Sequence, residues 1–219
     1  MVTQQRALRT RRALIREAAA QIDRHGYEGT SLLRICTAAG TSMGALTFHF
    51  PTKAKLADAL EERGRRIIQA AVSQALSIPA SPLRRARAMV LAVARLLENE
   101  TEVRAAARLA RERASTGNEW TVIWLSGLRE LLNQAHADGQ LRTAADVETV
   151  TVMARYLIAG VDAHVRHQAY TQVPDEPHSD AVGQLARVWD LVLYKVPAFC
   201  RPPKNPPHDY GTPSMQPPQ

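Results

Sequence analysis

The chain has 219 residues, a net charge of +7 and only 5% aromatic side chains. That length allows one or two small domains around a sizeable core. Its two cysteines, Cys36 and Cys200, form no metal or redox spacing. No apolar run reaches a membrane-spanning length, and the polar, basic start lacks a signal-peptide core. The expected location is therefore the cytoplasm, with no membrane partner.

Ala, Leu, Val and Arg dominate, and alternating β-branched runs are absent, so the expected class is all-α. A first helix is expected from about Gln4 to His25, with Leu14, Ala18, Ala19 and Ile22 on one stripe. Gly26 stops it. Thr30 or Ser31 caps a second helix that buries Leu32, Ile35, Cys36 and Ala39. Gly40 supplies a left-handed turn position, and Thr41 or Ser42 caps a third helix with Leu46 facing inward. Two short helices joined by a tight glycine turn have the layout of a DNA-reading helix-turn-helix. An ordinary helical hairpin has the same spacing.

Pro51 precedes a long helix from about Thr52 to Leu76, and Pro79 and Pro82 break the chain after it. Further helices are expected at about Leu83–Glu98, Glu102–Ala114, Asn118–Ala137, Ala144–Tyr170 and Asp180–Val196. Val147, Val150, Ala154, Leu157, Ile158 and Val161 make one side of the fourth of these apolar, with the last carrying Val182, Leu185, Val188, Trp189 and Val192. Eight of the 13 prolines fall between Pro197 and Pro218, which predicts a disordered tail over 198–219. The expected organisation is a helix-turn-helix domain over 1–57, a helical ligand-binding and dimerisation domain over 58–197, and that tail.

The charge is unevenly spread. Residues 1–57 hold nine Lys/Arg against three acids, and the remaining 162 residues hold 19 against 18. Nearly all the net positive charge therefore lies on the helix-turn-helix segment, as expected of a DNA-binding domain.

Residues Gly26–Asp58 resemble the DNA-binding domain of TetR-family repressors. The resemblance rests on Gly26-Tyr27, Gly29-Thr30-Ser31, Ile35, Gly40, Gly44-Ala45-Leu46, Phe48-His49-Phe50, Lys53 and Leu56-Ala57. A narrower resemblance, to the γ-butyrolactone receptor subgroup, rests on FHFPTKAKLA and on TVIWLSGLRELLNQAHADGQL, in which Trp124 looks like a ligand-pocket tryptophan. That subgroup includes pseudo-receptors answering to other small molecules such as antibiotics, and the high pI of about 9.9 leans that way.

The resemblance implies a homodimeric repressor that binds a pseudo-palindromic operator and is released by a small apolar effector, such as a γ-butyrolactone or an antibiotic. It implies dimerisation through the helices near 144–170 and 180–196, whose apolar stripes would supply the surface. By the same resemblance, Thr41, Ser42, Gly44, Ala45 and Thr47 face bases and nearby phosphates, and Thr30, His49 and Lys53 anchor the DNA backbone. Arg9, Arg11 and Arg12 would add contacts from an N-terminal arm. Met43 and Thr47 depart from the pattern, since the family often has lysine and tyrosine there. Trp120, Ile123, Trp124 and Leu128 share a helix face that is either core or pocket. Met89, Val93, Met153 and Leu157 are candidate pocket walls on neighbouring helices.

Other functions fit less well. Gly40-Thr41-Ser42-Met43-Gly44 matches the nucleophile elbow of serine hydrolases, but that motif needs a preceding strand and Ser42 follows a helix. His164 and His167 lack a third metal ligand at a supporting spacing. No phosphate-binding or dinucleotide loop occurs, so no cofactor, metal or catalytic residue is expected. A DNA-binding protein without an effector is a further alternative, though the large C-terminal portion argues against it.

Overall fold

The structure is a computed structural model that describes residues 2–113, 119–141, 146–171 and 180–195. The proline-rich segment expected over 198–219 lies outside the described residues. Among those described, the chain is all-α. The helices are α1 (Val2–His25), α2 (Leu32–Ala38), α3 (Met43–His49), α4 (Lys53–Leu76) and α5 (Pro82–Asn99). They continue with α6 (Thr101–Glu112), α7 (Glu119–Ala137), α8 (Val147–Thr171) and α9 (Ala181–Asp190), which runs into a π-helical turn, Leu191–Lys195.

The punctuation is local chemistry. Ser31, Ser42 and Thr52 cap α2, α3 and α4, each hydroxyl accepting the N–H three residues on. Asp146 and Asp180 do the same ahead of α8 and α9. Pro82 occupies the first position of α5, where a missing N–H costs nothing. Gly26 and Gly40 stop α1 and the α2 turn with φ of +75° and +60°, a region other residues enter only with strain.

Two cores result. The smaller one gathers Leu14 and Ile22 of α1, Ile35 and Cys36 of α2, Leu46 of α3, and Leu56 and Leu60 of α4. The larger one stacks α4, α5, α7, α8 and α9 through residues such as Ile68, Met89, Val93, Trp124, Leu128, Ile158 and Trp189. A bidentate Arg87–Asp190 pair, at 2.6 and 2.7 Å, fastens α5 to α9.

Helix α6 belongs to both cores. It sends Ala105 and Leu109 into the smaller and Val103 and Ala107 into the larger. It lies so close to α4 that a Cβ on Gly64 would stand 2.4 Å from the Cβ of Ala106. The expected boundary after residue 57 falls inside continuous α4, and the smaller core draws on Leu60 and α6 beyond it.

One expectation is corrected. The apolar stripes of the last two helices were read as a dimer surface. Val150, Ala154, Ile158, Val161, Val182, Leu185 and Trp189 instead pack inside the protomer. The outward apolar residues are Tyr156, Val188, Leu191 and Val192. The period-3.6 pattern identifies the apolar face of a helix but carries no information on whether that face meets its own chain or a second copy.

Candidate nucleic-acid interface and ligand cleft

Helix α3 stands out from the smaller core. Leu46 fixes it from beneath, fully buried, while Met43, Gly44, Thr47 and Phe48 are exposed. Ser42 accepts the Ala45 N–H at 3.2 Å, which leaves its own O–H to donate outward. Ala45, His49 and Thr41 are half-buried at the edges.

Two expected contacts are revised. Thr30 is only 3% exposed, and its hydroxyl donates to the Gly26 carbonyl at 2.7 Å. It therefore locks the turn before α2 and does not reach outward to a DNA backbone. The Thr47 hydroxyl turns back onto its own helix, within 3.1 Å of the Met43 and Gly44 carbonyls, so its proton is not offered outward.

Sequence reasoning passed over Phe48 as a contact residue. It is 80% exposed at the end of α3, edge-on to His49 at 5.2 Å. A bare aromatic ring at that position leaves its apolar face in water unless a partner covers it. The available signal was FHF itself. Phe50 alternates inward and is buried, so Phe48 has to point away.

The basic rim is oriented by aromatic rings. The Lys53 ammonium sits 4.4 Å from the Tyr27 ring centroid and donates to the Glu28 carbonyl at 3.5 Å. The Arg11 guanidinium lies 5.1 Å over Phe50. Arg9, Arg11 and Arg12 are part of helical α1, not of an extended arm, and they line a cleft of about 640 Å³ between α1 and α4 with Arg16, Arg63 and Arg66. In that cleft Arg63 pairs with Glu102 at 2.8 Å and Arg66 with Glu62 at 2.6 Å.

A second cleft, of about 210 Å³, opens between α6, α7 and α8. Trp120 and Trp124 line it. Ile123, Leu128, Met89, Val93, Met153 and Leu157 do not line it. Met89, Val93 and Leu128 are sealed core residues, and the other three pack partly buried against that core. Sequence reading missed Arg111, Arg155, Asp162 and Arg166, which supply the polar wall. Asp162 was the legible signal, an acid on the same stripe as Ala154, Ile158 and Val161.

Asp162 is 3% exposed. Its Oδ2 accepts from Arg111 at 2.7 Å and from Arg166 at 3.0 Å, while Oδ1 has no partner within the chain. The Trp124 indole N–H is buried and equally unpartnered. Burial lowers the Arg111 pKa from its ordinary value, outweighing the opposing attraction of Asp162.

The C-terminal end of α6 joins the two sites. Arg111 points to the cleft, while its neighbours grip α1, the turn after it and α4. The Glu112 carboxylate accepts the Tyr27 N–H at 2.6 Å, and Arg108 donates to the Asp23 carbonyl at 2.8 Å. Arg113 pairs with Asp58 at 2.8 Å and Glu61 at 3.1 Å, and lies 5.3 Å over Tyr27. One turn below, Arg104 pairs with Asp23 at 2.9 Å.

Residues 14–60 match the model of bacterial regulatory proteins of the tetR family. That match runs from within α1 to the start of α4, the helix-turn-helix region of this chain. Over 195 residues the chain is 26% identical to the A-factor receptor protein of Streptomyces griseus, covering 88% of its own length and 66% of that relative's. A solved γ-butyrolactone receptor, described as ArpA-like, superposes with a TM-score of 0.68 at 27% identity, covering 86% of this chain and 87% of that one. CprB, a TetR family protein from S. coelicolor A3(2), gives 0.65 at 27% identity, covering 85% and 88%. These kin are regulators, not enzymes. The GTSMG segment is the turn before α3 and its N-cap, not a strand-borne nucleophile elbow. Among the described residues no helix is long and apolar enough to cross a membrane, and no group of three or more metal-ligating side chains occurs.

Proposed function

We propose that this chain is a cytoplasmic, ligand-responsive transcriptional repressor of the TetR family. It binds a pseudo-palindromic operator as a homodimer and leaves it when a small signalling molecule, of γ-butyrolactone or pathway-product type, enters the Trp124 cleft. The observation that carries this reading is the end of α6, with Arg111 in the cleft and Arg108, Glu112 and Arg113 on α1, the turn after it and α4, the elements that hold the helix-turn-helix. A ligand that rearranges the Asp162 pairing moves Arg111, and the same turn moves Tyr27 and α4 with it. The ligand then favours one arrangement of the recognition helices over another, which is what coupling between two sites requires.

The DNA surface is α3, with Ser42, Met43, Gly44, Thr47 and Phe48 outermost and Arg11, His49 and Lys53 at the rim. The small side chains of its first turn let the helix approach base edges. Dimerisation brings together Tyr156 of α8 with Val188, Leu191 and Val192 of α9 and its π-helical turn, the apolar residues left outside the protomer core. A two-fold dimer then presents two recognition helices to half-sites about 34–36 Å apart, or a multiple of that.

Selection of bound DNA from a random pool tests the reading. Enrichment of a palindrome with that spacing supports it, and a pool that never converges refutes it. A gel shift on the enriched site, with lactones and pathway products added in turn, tests the effector half.

A further inference from the structure

We infer that the Trp124 cleft selects an anionic effector, a small hydroxy-carboxylate, over the neutral lactone of the same carbon skeleton. This deepens the effector reading above and rests on it. The cleft wall carries three arginines, Arg111, Arg155 and Arg166, against one carboxylate, Asp162. A neutral ligand leaves that cationic excess unbalanced, and a carboxylate offsets it with charge-assisted hydrogen bonds. Among the described residues Arg155 has no carboxylate partner and rests 5.4 Å over the Tyr156 ring, so its guanidinium is available at the mouth.

Two buried polar atoms define the rest of the ligand. Asp162 Oδ1 is an acceptor without a donor, and Trp124 Nε1 is a donor without an acceptor, and both residues line this cleft. Buried groups left in that condition are costly, so a molecule that completes both gains affinity from each. The occupant therefore offers a hydroxyl to Asp162 and an oxygen to Trp124, with its carboxylate toward Arg155 and Arg111. Trp120, Ile158 and Ala159 supply apolar wall for a short alkyl chain, and the volume of about 210 Å³ keeps the molecule small.

The test compares γ-octalactone with γ-hydroxyoctanoate, the ionised form of its ring-opened hydrolysis product. Titration calorimetry on the full chain at neutral pH reads affinity, and a gel shift on the selected operator reads release. The expected result is at least tenfold tighter binding and release by the hydroxy acid, with Arg155→Gln erasing the preference. Arg155 is an exposed side chain, so this variant folds. Equal or tighter binding of the lactone overturns the inference while leaving the effector reading intact, and absence of binding by either probe also overturns it. Failure of the repressor reading itself shows separately, as a DNA pool that yields no operator.

Discussion

Gly64→Ala is expected to destabilise this protein, although alanine is the better helix former. Gly64 lies in the interior of α4, where alanine is ordinarily favoured by about 0.8–1 kcal/mol. Here the new Cβ would stand 2.4 Å from the Ala106 Cβ and 3.3 Å from the Glu102 carbonyl oxygen. Carbon contacts settle at about 3.5–4.0 Å, so α4 and α6 have to part by more than about 1 Å. Forcing a methyl into a packed interface costs about 1–3 kcal/mol. The clash outweighs the propensity gain, for a net loss of up to about 2 kcal/mol. In a chain of this size that lowers Tm by up to roughly 4–8 °C. Because α6 also holds Tyr27 and Asp58, operator affinity falls with it. Thermal denaturation and a gel shift read both effects. Repeating the substitution in an Ala106→Gly background removes the facing methyl, and there Gly64→Ala raises Tm. A Gly64→Ala protein that melts higher than wild type, or a substitution with the same effect in both backgrounds, refutes the reasoning.

Phe48→Ala leaves Tm within about 1–2 °C, as surface changes do, while weakening operator binding about tenfold through lost apolar contact; an unchanged gel shift would remove Phe48 from the interface. Ser42→Ala removes the α3 cap and costs about 1 kcal/mol in chemical denaturation, and denaturation matching wild type would mean the cap contributes nothing. Glu112 is pushed up by burial, but Arg108 and the Tyr27 N–H hold its carboxyl below the ordinary value. Its stabilisation is therefore complete above about pH 4.3 and fades as pH falls through the lower folded value. Glu112→Gln should flatten the acid limb of a Tm-against-pH curve in that range, and an acid limb identical to wild type would show that Glu112 does not set it. Leu191→Glu puts a charge in the outward apolar face, so sedimentation should show monomers where wild type gives dimers.

Much of the fold was legible because its signals are local. Gly26 and Gly40 have positive φ, Ser31, Ser42 and Thr52 cap the helices they precede, and the inward residues Leu14, Ile35, Cys36 and Leu46 follow a 3.6 period. The caps and glycine turns around α2 and α3 are set by hydrogen bonds within a few residues, so spacing alone exposes them. The ligand cleft is not set locally. Trp120 and Trp124 share one helix and could be paired by periodicity, whereas Arg111 and Asp162 meet from different helices 51 positions apart.

The all-α class, the start and stop of most helices, the helix-turn-helix segment and its basic charge are all legible in the order of residues. Each follows from propensity, capping or composition, which act over a few residues. Only the tertiary structure decided which side of an amphipathic helix meets its own core. It turned Val150, Ile158 and Trp189 inward and left Tyr156 and Leu191 outside. It also buried Thr30 and bared Phe48. The side-chain period of a helix records that two faces differ, and only packing against other helices decides what each face meets.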